Sequence, residues 1–327
     1  MCEAGQRQIK IVDARIDGLV YDLYGLTEEE VKVVVEKVRE SKNLDAFAVH
    51  KKYPNIAKIF SKEWFESEFR QEKEDMHLLA NQFDHYGENS LHWIDHLEEY
   101  LETMKDEIER NRKHFYDGLR NKGQYTSTLA EIEIGSLFKN IGFQNVQLEP
   151  PIPDPKKNGS GDIKIIDAET EVFIEVRTIR GKEGEILDKG KGVEIRKMES
   201  HRPIDLQSKI VAEIHGLSGF YPGIVVLYID QSIINDRDIE KAFYDAIAWI
   251  VNGEVVQVEP GESDMDNTII SAILSYFHYF SDGCVIRKEL YLNPKANIPL
   301  PNSIITKLRD SGIEIKEEPI ELERNYR

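Results

Sequence analysis

The sequence predicts an α/β protein in which a helical N-terminal region, residues 1–122, precedes a sheet core flanked by helices, residues 123–327. Three observations carry this. Ile94, Leu97, Leu101, Met104, Ile108 and Phe115 recur mostly at three- and four-residue intervals, the seam of a long helix packed on a partner. Polarity alternates residue by residue over 162–167 and again over 170–178, the period of strands with one buried face. The run Gly-Ile-Val-Val-Leu-Tyr-Ile from Gly223 is short and almost wholly apolar, as in a strand buried on both sides.

With 327 residues the chain can bury a sizeable core and should form two units. No apolar run approaches the ~18 residues of a membrane span. The start, Met-Cys-Glu-Ala-Gly, lacks the basic and apolar regions of a signal peptide, so a cytoplasmic protein with no membrane partner is expected. Cys2 and Cys284, the only cysteines, exclude a disulfide framework and a cysteine zinc site. A net charge of -18 argues against a protein that simply coats nucleic acid, which needs clustered Lys and Arg. It leaves room for a local patch. Arg177, Arg180, Lys182, Lys189, Lys191, Arg196, Lys197 and Arg202 follow one another closely enough to track a phosphate backbone, or to form an ordinary solvated loop.

Taken in order, Ile16, Leu19, Val20 and Leu23 outline a first amphipathic helix. Thr27, with Glu30 three residues on, caps a second that runs toward residue 40. Residues 41–124 read as polar helices, among them the long seam, which serves either as an arm that dimerises or positions a substrate or as a bundle helix. His92 and His96 lie one turn apart, near His85 and Asp95, a spacing that can hold zinc. Trp93 stands where a His-Glu-x-x-His site needs its glutamate, however, and isolated helical histidines are usually structural. Beyond Lys122 the pattern predicts a helix over 127–141, a strand over 145–148, a proline-rich turn over 150–155, the hairpin, a basic loop and a helix over 204–214. The strand at Gly223 follows, then a helix over 236–251 with Ile239, Phe243, Ile247 and Ile250 on one face, strands over 267–279 and 284–292, a helix over 301–308 and a charged, fraying tail over 314–327. In the helix over 127–141, Ala130, Ile134, Leu137 and Ile141 form the apolar stripe, Glu131 lies near its edge, Glu133 falls further round, and Gly142 is the stop.

The hairpin is the part that suggests chemistry. A two-residue loop of Ala168 and Glu169 pairs Asp167 with Thr170, and counting outward sets Asp162 opposite Glu175. Asp162, Lys164, Ile166, Phe173, Glu175 and Arg177 then share one face, and Ile163, Ile165, Val172, Ile174 and Val176 the core face. Opposed carboxylates sit roughly 5 Å apart at Cβ, which is unfavourable without a cation or proton. A hard cation such as Mg²⁺ accepts two carboxylates and a main-chain carbonyl, here nominated as that of Val176.

Asp162, Glu175 and the following Val176-Arg177 resemble the PD-(D/E)XK nuclease superfamily, whose fold is restriction-endonuclease-like, a mixed-sheet core flanked by helices. The resemblance extends to the segment 129–143, which is similar to the helix that carries the family's additional glutamate, here Glu131. It implies a Mg²⁺-dependent deoxyribonuclease, with Mn²⁺ as a substitute. Asp162, Glu175 and the Val176 carbonyl would hold the ion, Glu131 a metal-bound water or second ion, and DNA would be the partner. The family's lysine is Arg177 here. Arginine stays charged and can stabilise phosphate but cannot assist the attacking water as a lysine can. Some members supply lysine from the next helix, where Lys209 is the candidate; Lys164 is a weaker one. The first twenty or so residues of the helical pair from Ile16 also resemble the C-terminal tail of adenine-specific DNA methyltransferases, a hint of restriction-modification ancestry, although no Asn-Pro-Pro-Tyr or Asp-Pro-Pro-Tyr motif is present. No Rossmann fingerprint or nucleophile motif appears either. The expected function is DNA phosphodiester hydrolysis, and the alternative a catalytically inactive relative that binds nucleic acid or protein, with a homodimer through the helical arm as a further expectation.

Overall fold

A computed structural model describes residues 52–71, 75–81, 91–152, 160–179, 217, 219–230, 237–252, 267–278 and 285–317. The expected helices within 11–40 and over 204–214, the methyltransferase-like stretch, His85, Lys209 and all of the basic run except Arg177 lie outside the described residues.

Helices α1 (Pro54–Ile59), α2 (Lys62–Glu68), α3 (Leu91–Thr103), α4 (Lys105–Arg110), α5 (Arg112–Arg120) and α6 (Tyr125–Ile141) come first. They are followed by strands β1 (Asn145–Leu148), β2 (Ile163–Asp167), β3 (Thr170–Ile179) and β4 (Gly223–Asp230), helix α7 (Arg237–Asn252), β5 (Ala272–His278), β6 (Val285–Leu292), α8 (Asn302–Asp310) and β7 (Glu314–Lys316). The chain is an α/β protein, and its described residues form a seven-stranded sheet in sequence order. β1, β2 and β3 form an antiparallel meander, β3, β4 and β5 run parallel, β6 is antiparallel to β5, and β7 is parallel to β6.

The seam residues are buried but do not lie on one helix. The chain bends at Met104 and Asn111, so Leu101, Ile108 and Phe115 come from three successive helices that turn their apolar sides to one core. The bend at Asn111 is fixed by tertiary contact, because its side chain donates to the Leu148 carbonyl of β1 at 3.1 Å. Seam and sheet share one apolar cluster, which runs from Tyr53 and Ile56 through Ile94, Leu97 and Phe115 to Ile163, Ile174, Val226 and Leu274. The core therefore crosses residue 122 without interruption.

α6 is the hub of that cluster. Ala130 and Ile134 of its expected stripe are fully buried, but so are Ile132 and Phe138, because the helix is enclosed by the sheet on one side and by α3 and α5 on the other. Gly142 closes it in the left-handed conformation (φ 103°), its N–H donating to the carbonyls of Phe138 and Lys139.

In the hairpin Asp167 pairs with Thr170 and the ladder runs to Ile163 opposite Ile174. Ala168 takes the left-handed backbone (φ 55°) that tight hairpin turns require. Alternation sorts the side chains as expected: Ile163, Ile165, Val172, Ile174 and Val176 enter the first cluster. The expectation of a single buried face fails, however. Phe173 and Ile179 join Val225, Leu227, Ile273, Ile247 and Ile250 in a second cluster, because the parallel strands β3, β4 and β5 are covered on both sides.

Two further boundaries differ. Residues 267–269 form a short 3-10 turn before β5, where the Thr268 carbonyl accepts from the Asn297 N–H. The start of the charged tail is strand β7, because Gly312 (φ 86°) reverses the chain after α8, Ile313 is buried and β6 offers an open edge. Among the described residues no helix is long and apolar enough to cross a membrane.

Candidate metal centre

β2 has five residues and β3 ten, so β3 continues past the point where the chain entering β2 leaves the ladder. Antiparallel pairing ends at Ile163 and Ile174, and register places Asp162 and Glu175 one step further. There the Asp162 carboxylate replaces a strand as acceptor: the Val176 N–H donates to its Oδ2 at 2.6 Å. The divergence thus exposes a main-chain donor and fills it with an acid. On the other side of the split the chain is held by the Glu149 N–H, which donates to the Asp162 carbonyl at 2.9 Å, and by the Gly161 N–H on the Pro150 carbonyl.

Glu131 projects from α6 toward this split, where it meets two residues that the sequence did not single out. His114 Nε2, from α5, lies 3.6 Å from Glu131 Oε2 and 3.3 Å from Glu149 Oε1. One ligand atom from each of the three residues falls within 4.8 Å of the others. Glu149 follows directly on β1 with a left-handed backbone (φ 52°), a conformation that costs a non-glycine residue about 1–2 kcal/mol. The hydrogen bond from its N–H to the Asp162 carbonyl holds that turn. Its other carboxylate oxygen accepts from the Ser160 hydroxyl. The order Ser–Glu–His puts the carboxylate, not the imidazole, next to the hydroxyl, so this is no nucleophilic triad.

The electrostatics of the group are unbalanced. Glu131 beside it raises the His114 imidazole above its ordinary value, against the effect of burial, and the charges of Glu149 and Asp162 add to the rise. Burial raises the Glu131 carboxyl, with His114 opposing and Glu149 adding to it. Glu131 Oε2 is closed to solvent and accepts no hydrogen bond. Glu131 and Glu149, with Asp162 in electrostatic range, present more negative charge than one imidazolium offsets, which a bound cation would correct.

The structure thus sets Glu131 against His114, keeps Asp162 within electrostatic range of that imidazole, and bonds Asp162 to the Val176 N–H. Glu175 is 5 % exposed, on the strand face that carries Phe173 and Ile179 into the second cluster, and Arg177, two residues along, is half-buried on that same face. Lys164 pairs with Glu171 at 3.3 Å, away from the split. Of the helical histidines, His96 stacks on Tyr100 and lies 3.9 Å from Glu99, while Asp95 accepts from Tyr53 and Lys52. The His114–Glu131–Glu149 set was invisible to spacing rules because its members come from three separate elements, and the direction of the Glu149 side chain depends on its backbone angle. The Glu-Pro-Pro sequence at a strand end was the only local signal.

No family model, curated protein or solved structure matches the chain.

Proposed function

We propose that this chain is a divalent-metal-dependent nuclease, or a descendant of one, with a restriction-endonuclease-like core that acts on DNA phosphodiester bonds. The order of a helix with a glutamate, an antiparallel three-stranded meander and a fourth strand parallel to the third supports that arrangement. The observation that carries the reading is the position of Asp162 where β2 splits from β3, bound to the Val176 N–H and within charge range of the His114–Glu131 pair. The buried Oε2 of Glu131, beyond hydrogen-bond length of any donor, supports a site for a cation.

In this reading Asp162, Glu175 and the Val176 carbonyl, with Glu131, would hold Mg²⁺ or Mn²⁺. When bound, such an ion supplies Lewis acidity and a more acidic water. Glu131 would hold the ion directly or orient a water bound to it. Arg177 stays charged throughout, so its part is to offset charge on the phosphate, with Lys209 as a second candidate cation. The test is a cleavage assay on single- and double-stranded DNA with Mg²⁺ and with Mn²⁺. Asp162→Ala is expected to lower metal-dependent cutting by at least on the order of 100-fold while the protein stays folded. Undiminished cutting by that variant overturns the assignment.

Arg177 in place of the family's lysine, together with the net charge of -18, favours a second reading, a non-catalytic scaffold that binds nucleic acid or protein. Metal binding by the wild-type chain without turnover on any DNA form selects it.

A further inference from the structure

We infer that His114, Glu131 and Glu149 form a binding site for one first-row transition-metal dication, selective against Mg²⁺. It shares Glu131 with the proposed nuclease site but depends on His114 and Glu149, which that reading does not use.

Geometry comes first. Ligands about 2.1 Å from a shared tetrahedral ion lie roughly 3.4 Å from one another. His114 Nε2 lies 3.3 Å from Glu149 Oε1 and 3.6 Å from Glu131 Oε2, the spacing of two coordination edges. The set is also held in place. His114 is followed on α5 by Phe115, and Glu131 is flanked on α6 by Ala130 and Ile132, all three fully buried. Glu149 is fixed by its N–H on the Asp162 carbonyl and by the Ser160 hydroxyl. Side chains on packed helices keep a ligand constellation more closely than side chains on loops.

The environment of Glu131 adds to this: its Oε2 is shut off from water, and His114 Nε2, at 3.6 Å, stands beyond hydrogen-bond length. Leaving such an acceptor unsatisfied is costly, the more so when it is charged, and a metal–oxygen bond removes that cost.

The donor set chooses the metal. Imidazole suits Zn²⁺, Fe²⁺ and Ni²⁺, with Co²⁺ between the last two in the affinity order and Mn²⁺ the weakest of the series, whereas Mg²⁺ takes oxygen ligands and keeps its waters. One nitrogen and two carboxylates leave coordination positions for water or a phosphate oxygen. The competing account is a plain ion pair, with a protonated His114 lying between two glutamates at these same distances.

Titration of the full chain with Co²⁺, read by its visible d–d absorption, and calorimetry with Mn²⁺ and Mg²⁺ separate the two. One Co²⁺ per chain is expected to bind at this set, at least about tenfold tighter than Mg²⁺. His114→Ala and the near-isosteric Glu149→Gln should each lower Co²⁺ affinity by at least about tenfold without changing the circular dichroism spectrum, and His96→Ala, at a half-exposed histidine outside both sites, should not. Binding that survives His114→Ala overturns the inference. If Glu175→Gln abolishes it instead, the ion belongs to the hairpin acids and the nuclease reading stands alone. Absence of any Co²⁺ or Mn²⁺ binding leaves the ion-pair account and refutes the site. His114-dependent binding with no DNA cleavage upholds this site and discards nuclease activity.

Discussion

Replacing Glu133 by alanine should destabilise the protein by about 3–5 kcal/mol. Glu133 is 2 % exposed on α6, at the centre of the first core cluster, and its carboxylate accepts from three phenols. Tyr228 of β4 donates to Oε2 at 2.6 Å, Tyr276 of β5 to Oε1 at 2.7 Å, and Tyr100 of α3 to Oε1 at the longer distance of 3.3 Å. Burial first, and the carboxylate next, push the Tyr228 and Tyr276 phenols well above their ordinary value, so both remain donors at any working pH. Deleting the acceptor strands two buried hydroxyls at about 1–3 kcal/mol each and opens a void, while the relief of desolvating a charge offsets part of the loss. Against a total stability of about 5–15 kcal/mol the alanine variant is marginal, so Glu133→Gln is its companion. It keeps one carbonyl acceptor and should lose about 1–3 kcal/mol. The measurement is urea unfolding followed by circular dichroism, in which the midpoint should fall at constant slope. If Glu133→Ala loses less than about 1 kcal/mol, the carboxylate is not the clasp between helix and sheet. Glu131 is two residues away, so loosening α6 also disturbs the metal cluster; weaker Co²⁺ binding by Glu133→Gln would report that.

Two other outcomes follow from single contacts. His77 is fully buried, its Nδ1 accepting from the Leu79 N–H and its Nε2 lying 3.0 Å from the Leu119 carbonyl, and burial lowers its pKa to about 4 from the usual 6.5. Because the folded value is below the unfolded one, its contribution is whole above pH 6.5 and is lost as pH falls toward about 4, roughly 3 kcal/mol over that window; His77→Gln should flatten the unfolding-midpoint profile there, and an unchanged profile would rule His77 out as the cause. On α5, a Cβ at Gly118 would stand 2.4 Å from Thr128 Oγ1 and 3.1 Å from its Cγ2, so the collision outweighs the gain of about 1 kcal/mol in helix propensity. Gly118→Ala is expected to lower stability by about 1–3 kcal/mol, and a rise in the urea midpoint would show that α5 and α6 can part freely.

Local rules were enough for several elements. Alternation and a two-residue loop gave the hairpin its register and sorted Ile163 from Lys164, and Gly142 ended α6 at the expected place, because turn chemistry and strand period act between near neighbours. The strand at Gly223 was legible from its apolar run for the same reason. The seam at Ile94 to Phe115 was right in its burial and wrong in its continuity. An apolar period records which residues go inside, but Asn111 could bend the chain only once Leu148 was there to accept its hydrogen bond.

The acids show the division most clearly. Sequence alone determined that Asp162 and Glu175 lie one step beyond the last rung of the hairpin ladder and that Glu131 rides the preceding helix, since each placement depends on spacing within one or two elements. Only the tertiary structure decided which groups meet. His114 lies 17 positions before Glu131 and Glu149 lies 18 after it, and no periodicity relates them; packing of α5 against α6 and the left-handed turn at Glu149 bring them together, while helix α7 closes the second face of the sheet over the strand side that bears Glu175. Burial and electrostatics at such a point are properties of the assembled core, which a chain acquires only by folding.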